Sequence, residues 1–216
     1  MKNNKILEML EAGQIEELKN LLMQEELSKN ASGDAKKRIA GIKKLYKMTQ
    51  NKKISSICKG LQNYSDNVVL CNGHWIYESV EFTKNDFPTF EVVNGLTKES
   101  IDKFFLGDFE YMKINRKDFV NALNFAKLKK FNCWIVINNI AVDSKYLEAI
   151  FQAVDDGNSD SIEIGYINEL SPILFKNDFT RAIVLPIHLR SLSNTPEKLK
   201  NFNGISVIEL ENKKAK

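Results

Sequence analysis

The chain reads as an α+β fold, and three observations point there. Two amphipathic helical segments, 34–50 and 144–154, are each followed by β-prone runs separated by turn residues. Those runs lie too close together for helical crossovers, so the strands pair antiparallel with the helices on one face of the sheet. No glycine pattern of the dinucleotide-binding or P-loop kind occurs, which excludes those nucleotide-binding folds.

Taken in order, residues 1–33 form a separate helical extension. Ile6, Leu7, Met9 and Leu10, then Ile15, Leu18, Leu21, Leu22 and Leu27, recur at helical spacing, with Gly13 placed as a helix C-cap between them. Glu8, Glu11, Glu16, Glu17, Glu25 and Glu26 decorate this hairpin, and 29–33 reads as a linker. Residues 34–190 form the main α+β domain. Asp34 is placed as N-cap of a helix to about Gln50 that turns Ile39, Ile42, Leu45, Tyr46 and Thr49 to a core. Strands follow at 54–63, 67–71 and 74–80, with a turn at 64–67 and a two-residue hairpin signal at Asn72-Gly73. Residues 81–130 are less regular and read as an insertion, with a short helix at 97–105, a strand at 110–114 and an amphipathic helix at 117–128. A second round comprises a strand at 133–138, a helix at 144–154 capped by Asp143, and strands at 161–167, 172–176 and 180–186. In the tail, 191–216, the run Ile205–Leu210 is β-prone and suits a sheet edge, in this molecule or a neighbour.

Composition sets outer bounds. At 216 residues, 43% hydrophobic and 27% charged, the chain has the makeup of a soluble globular protein of one or two domains. No apolar run reaches the ~20 residues of a membrane span, and Glu8 and Glu11 fall where a secretory signal would be apolar. Three widely spaced cysteines, Cys58, Cys71 and Cys133, do not form a disulfide framework, so a cytoplasmic protein with reduced thiols is expected.

Charge distribution says more than the net charge of +3. Between Lys36 and Lys53 there is no acidic residue, and Lys36, Lys37, Lys43, Lys44 and Lys47 stud one helix. Such a face suits DNA phosphates, since each neutralised phosphate releases a counterion; it equally suits a solvated surface. Catalysis finds no support: His74 and His188 are the only histidines and form no nucleophile–base spacing. A zinc site from Cys71, His74, Cys133 and His188 is a weaker reading, because only one short-spaced pair exists; no metal or cofactor is expected. Phe104, Phe105, Phe109 and Tyr111, interspersed with acids, read as core.

Two short segments carry more. Cys71-Asn72-Gly73-His74-Trp75-Ile76 and Val184-Leu185-Pro186-Ile187-His188-Leu189 each follow a β-rich run. They resemble the Thr-Asp-Gly-His-Arg-Leu and Met-Pro-Met-Arg-Leu segments of bacterial DNA sliding clamps, the DNA polymerase III beta family. Asp143-Ser144-Lys145-Tyr146-Leu147 resembles that family's Tyr-Leu helix start, and Ser171-Pro172-Ile173 its Ser-Pro strand. The resemblance covers about 34–80 and 131–190 and implies one clamp-like domain of two helix-plus-strands units. Departures are Asn72, Trp75 and His188, where the family has Asp, Arg and Arg. Family chains carry three domains and pair into a ring, so a six-domain ring would take six copies of this chain.

The resemblance implies a non-enzymatic role in DNA replication or repair, in a single-domain form that suits a phage or mobile element. It implies a pocket for a short partner peptide, with Trp75, Ile76, Leu185, Pro186 and Ile187 as apolar wall, His74 and His188 as rim, and Gly73 in the turn. The partners implied are DNA, on the basic helix, and replication or repair proteins through a short peptide motif. A homo-oligomer is open. The alternative is an adaptor or inhibitor without DNA contact, its basic helix covered by the acidic N-terminal hairpin. Val184, Leu185 and Ile187 also fit ordinary core strand positions.

Overall fold

The computed structural model describes residues 2–31, 33–51, 59–63, 65–157, 160–187 and 198–209. Helices α1 (Lys2–Glu11) and α2 (Ile15–Asn30) make a hairpin closed by Gly13 at φ +72°. Gly13 N–H donates to Leu10 O at 3.1 Å and Gln14 N–H to Met9 O at 2.9 Å, the bond pair of a Schellman cap. Helix α3 (Gly33–Thr49) follows almost at once, so Lys29 and Asn30 are helical and not linker; Ser32 lies outside the described residues. Asp34 lies inside the first turn of α3 and does not cap it; its carboxylate accepts from Lys37 Nζ at 2.9 Å.

Strands β1 (Gly60–Gln62), β2 (Asn67–Cys71) and β3 (Trp75–Thr83) then pair antiparallel. Of the strand expected over 54–63, the part up to 58 lies outside the described residues. The β2–β3 turn is shifted by one residue from the expected Asn72-Gly73. Asn72 N–H donates to Trp75 O at 3.3 Å, so Gly73 and His74 are the central pair. Gly73 at φ +87° supplies the positive first central residue of a type II′ turn. Asn72 Oδ1 accepts from the N–H groups of His74 (2.9 Å) and Trp75 (3.2 Å), which fixes the turn.

Residues 81–130 are built into the fold. After the short β4 (Val92–Val93), α4 (Lys98–Phe105) starts at Thr97, whose side chain accepts from Ser100 N–H. Strand β5 (Glu110–Asn115) and helix α5 (Arg116–Leu128) then add to the main sheet and the core. Strands β6 (Cys133–Ile137) and β7 (Ile140–Asp143) form a hairpin around Asn138 and Asn139 at φ +47° and +64°, where a single strand was expected. Helix α6 (Ser144–Val154) leads into β8 (Ser161–Tyr166), β9 (Ile173–Lys176) and β10 (Thr180–Val184). Asp143 caps α6 as expected, accepting from Lys145 N–H at 2.8 Å. Pro186 falls beyond the end of β10. Finally β11 (Lys198–Phe202) and β12 (Ile205–Glu209) turn through Asn203-Gly204. The β-prone tail therefore pairs within this molecule.

Among the described residues the strands form two sheets, ordered β4-β1-β2-β3-β10-β9-β8-β5 and β11-β12-β6-β7. The two helix-plus-strands units meet where β3 pairs antiparallel with β10, Trp75 opposite Val184 and Ile76 opposite Ile183. This is an α+β domain, and no helix is long and apolar enough to cross a membrane among the described residues. Helices α3 and α6 cross at Gly41, where a Cβ would stand 2.6 Å from Ala153 N. One main core joins α3, α5, α6, the inner face of the large sheet (Val68, Leu70, Trp75, Tyr77, Phe175, Ala182, Val184) and the small sheet. Alternation along the strands sends Val69, Cys71 and Ile76 to the opposite face, where Ile101 of α4 covers them.

Candidate functional site

The two histidine-containing segments come together. Val184 lies opposite Trp75, and Leu185 N–H donates to His74 O at 2.8 Å. Two residues on, Ile187 N–H donates to Ala141 O at 2.7 Å, so the segment steps from the large sheet to the small one.

On the outer face of the large sheet, beside this junction, is a small apolar cavity. Cys71, Gly73, Trp75 and Ile76 form one side, Ile183 and Leu185 another, and Leu96 and Phe104 the roof. Of the residues expected to form a peptide pocket, Gly73, Trp75, Ile76 and Leu185 line it. His74, Pro186 and Ile187 do not line this cavity, Ile187 being bonded to Ala141 of the small sheet; His188 lies outside the described residues. Trp75 is not an exposed anchor: it is 1% exposed and belongs to the inner core, because the pleat turns it away from Ile76. The exposed aromatic here is Phe104, at 45%, with Leu185 at 38%. Phe104 and Tyr111 were expected in the core and are half or nearly half exposed. The roof was not readable from the sequence, since Leu96 and Phe104 reach the sheet only through tertiary packing.

Arg181 on β10 fixes that roof. Its guanidinium pairs with Glu78 of β3, donates from Nη2 to Asp102 Oδ1 of α4 at 2.7 Å, and lies 4.3 Å over the Phe105 ring. One side chain thus ties two strands to the helix, through ionic and cation–π contacts at once.

Beyond the cavity, His74 stacks on Tyr146 of α6, ring centroids 5.5 Å apart and planes 18° apart. Burial pushes the Asp143 carboxyl above its ordinary value, against the backbone N–H groups and the nearby Lys145 and His74 charges that hold it down. Burial, then the Asp143 charge, raises the Tyr146 hydroxyl. Asn72 Nδ2 and Trp75 Nε1 are buried without a hydrogen-bond partner. Among the described residues no cluster of three or more His, Cys, Asp or Glu is placed to hold a metal. Cys133 lies in the main core, its Sγ 3.6 Å from Ser144 Oγ, whereas Cys71 lies on the outer face, so the zinc reading does not bring its cysteines together.

The basic helix is less free than its sequence suggests. Arg38 makes a two-pronged ion pair with Glu81 (2.8 and 2.6 Å), Lys44 pairs with Glu148 of α6, and Lys37 with Asp34. Burial lowers the Lys43 ammonium from its ordinary value, with Glu25 of α2 opposing. Lys36 and Lys47 remain exposed. Apart from Asp34 at its own first turn, the carboxylates that answer this helix come from other elements, so a run without acids in sequence is not one in space.

No protein-family model and no curated protein matches the chain. Among solved structures it is similar to a Helicobacter pylori beta clamp bound to a DNA ligase peptide, at 9% identity over 68% of this chain and 63% of that one, TM-score 0.48. It is similar too to a Bartonella birtlesii DnaN sliding clamp bound to griselimycin, at 12% identity over 61% and 58%, TM-score 0.45. A third is the DNA polymerase III subunit beta of Pseudomonas aeruginosa, at 9% identity over 73% and 65%, TM-score 0.47. The chain spans less than two thirds of each of these clamps.

Proposed function

We propose that this protein is a non-enzymatic binding platform of the sliding-clamp kind, acting in DNA replication or repair, whose outer-face cavity takes an apolar side chain of a short partner peptide. The observation that carries this is the convergence of the two clamp-like segments on one cavity, roofed by Leu96 and Phe104. Leu185 and Phe104 stand partly exposed at its mouth, where an entering leucine or phenylalanine would cover them. A single well-buried anchor of this type contributes roughly 2 kcal/mol or more to such interfaces. The His74–Tyr146 stack continues the surface beyond the cavity and would receive the next residues of the peptide.

The test is fluorescence anisotropy with a labelled peptide rich in Gln, Leu and Phe. Wild type is expected to bind saturably, and Phe104→Ala or Leu185→Ala to weaken binding at least tenfold. Leu128→Ala, at an 81% exposed site on α5, serves as the control and should change nothing. Absence of saturable binding, or equal effects of all three variants, would sink the proposal.

A second reading keeps DNA contact on α3, and the exposure of Lys36, Lys37 and Lys47 favours it. The rival reading of an adaptor without DNA contact is favoured by α2, whose Glu25 lies near Lys43. Neutralising Lys36, Lys37 and Lys47 should lower salt-sensitive DNA affinity under the former and leave the protein unchanged under the latter.

A further inference from the structure

A second basic surface, remote in sequence from α3, has a different character. Helix α5 and strand β11 lie side by side and antiparallel: Asn203, just past β11, donates to Asp118 Oδ2 near the start of α5 at 2.7 Å, while Lys200 reaches Phe125 farther along it. Asp118 is about 16 Å from Lys129 along the helix rise of 1.5 Å per residue. Asp118 is thereby kept from the C-terminal end of the helix, which is basic. That basic end gathers Lys127, Lys129 and Lys130 with Lys198 and Lys200, all exposed.

Two half-buried aromatic rings order two of these ammonium groups, those of Lys129 and Lys200. Lys129 Nζ is 5.7 Å and Lys200 Nζ 5.4 Å from the Phe125 ring centre, and Lys200 is also 5.1 Å from that of Phe202. Phe125 and Phe202 lie against each other, centroids 6.1 Å apart, and pack on the main core. A ring face holds a cation by about 0.5–1 kcal/mol at an exposed site and leaves its charge intact. A carboxylate would cancel it. Among the described residues none of these five lysines is in a salt bridge, whereas on α3 Lys37, Arg38 and Lys44 all are. Carboxylates on adjoining elements include Asp118, engaged by Asn203, Glu148 of α6, engaged by Lys44, Glu110 of β5, Asp143 at the end of β7 and Glu209 at the end of β12. The C-terminal end of α5 contributes roughly half a negative charge, too little to offset the cluster.

We propose that the C-terminal end of α5 and strand β11 form a nucleic-acid-backbone-binding surface, with Lys127, Lys129, Lys130, Lys198 and Lys200 contacting successive phosphates. The weakly held ammonium groups of Lys129 and Lys200 swing from ring to phosphate, and counterion release from all five contacts supplies the affinity. This goes beyond the peptide cavity and uses none of its residues.

The experiment measures binding of a fluorescein-labelled 25-base-pair duplex between 50 and 200 mM salt, a range in which phosphate contacts lose about a thousandfold or more in affinity when numerous. Wild type is compared with Lys127→Gln/Lys129→Gln/Lys200→Gln and with Lys36→Gln/Lys37→Gln/Lys47→Gln. The first triple variant should lose at least tenfold at 50 mM salt and flatten the log–log salt slope by about 2–3, given ~0.9 per phosphate contact. The second should stay within twofold of wild type. The reverse pattern, or no duplex binding by wild type at 50 mM salt, overturns the inference. So does competition by polyglutamate of equal charge as effective as that by unlabelled duplex, which would assign the surface to an acidic protein. Labelled-peptide titration of the same variants, expected unchanged, separates failure here from failure of the cavity.

Discussion

Arg181 shows how one residue can decide whether a site exists. Its contacts to Glu78, Asp102 and the Phe105 ring hold α4 against the sheet, and without α4 the cavity loses Phe104 from its roof. Arg181→Ala should leave the main core intact while raising hydrogen exchange at the Ile101 and Leu106 amides and weakening peptide binding. Arg181→Lys should recover little, since an ammonium cannot serve both carboxylates with a planar fork. Unchanged exchange in α4 would show that apolar packing alone fixes the roof. Asp143 makes a different case. Its folded-state pKa is raised by burial, so the ionised form is disfavoured on folding. The sign follows: its contribution is fully present below the unfolded pKa and is lost as pH rises through the folded one. Asp143→Asn keeps an oxygen for the helix cap and removes the charge. It should raise Tm by roughly 1–3 °C at pH 7 and by nothing at pH 3, as thermal melts at the two values would show. A lower Tm at pH 7 would mean that the backbone N–H groups of Lys145 and Tyr146 and the Lys145 charge outweigh burial.

At the scale of elements, the crossing of α3 and α6 sets the spacing of the helix layer. Gly41 is the contact point, and the atoms a methyl group would meet there are backbone, at 2.6–2.7 Å. Backbone cannot swing aside as a side chain can, so Gly41→Ala should destabilise by about 1–3 kcal/mol despite alanine's better helix propensity. Urea denaturation gives the answer, and a neutral result would mean that the helices can part without cost. The elements themselves were largely legible. Helix α6 was, because Leu147, Ile150, Phe151 and Val154 recur at helical spacing behind an Asp cap. So was β2, a short apolar run ahead of Asn72-Gly73, although the turn itself is centred one residue later, on Gly73-His74. The β6–β7 hairpin was not, although Asn138-Asn139 between two apolar runs is a two-residue turn signal, and both residues adopt positive φ. Asn203-Gly204 is a turn signal of the same kind for the β11–β12 hairpin, of which only the β12 run was expected as a strand. The roles of α4 and α5 were harder, since an amphipathic helix does not declare which sheet face it covers.

For the whole molecule, the two helix-plus-strands units were readable but their junction was not, because the β3–β10 pairing joins residues far apart in the chain. The same distance explains why the basic run on α3 misled: Glu81 and Glu148 lie outside the window in which its charge was counted. Strand β12 occupies an interior place in the small sheet, between β11 and β6, and carries the buried Ile205 and Val207. Val207 lies opposite Ile135, so this sheet is completed only when two stretches about 70 residues apart in sequence meet. Loops of that length close slowly relative to local hairpins. In refolding with pulsed deuterium labelling, amides of β2 and β3 should gain protection before those of β6 and β12. Until β12 docks, β6 presents an unpaired edge rich in Trp134, Ile135 and Ile137 to any other chain in the same state. Refolding yield should therefore fall with protein concentration while the folded protein itself stays tolerant of crowding, a vulnerability that belongs to the newly made chain and not to the finished one.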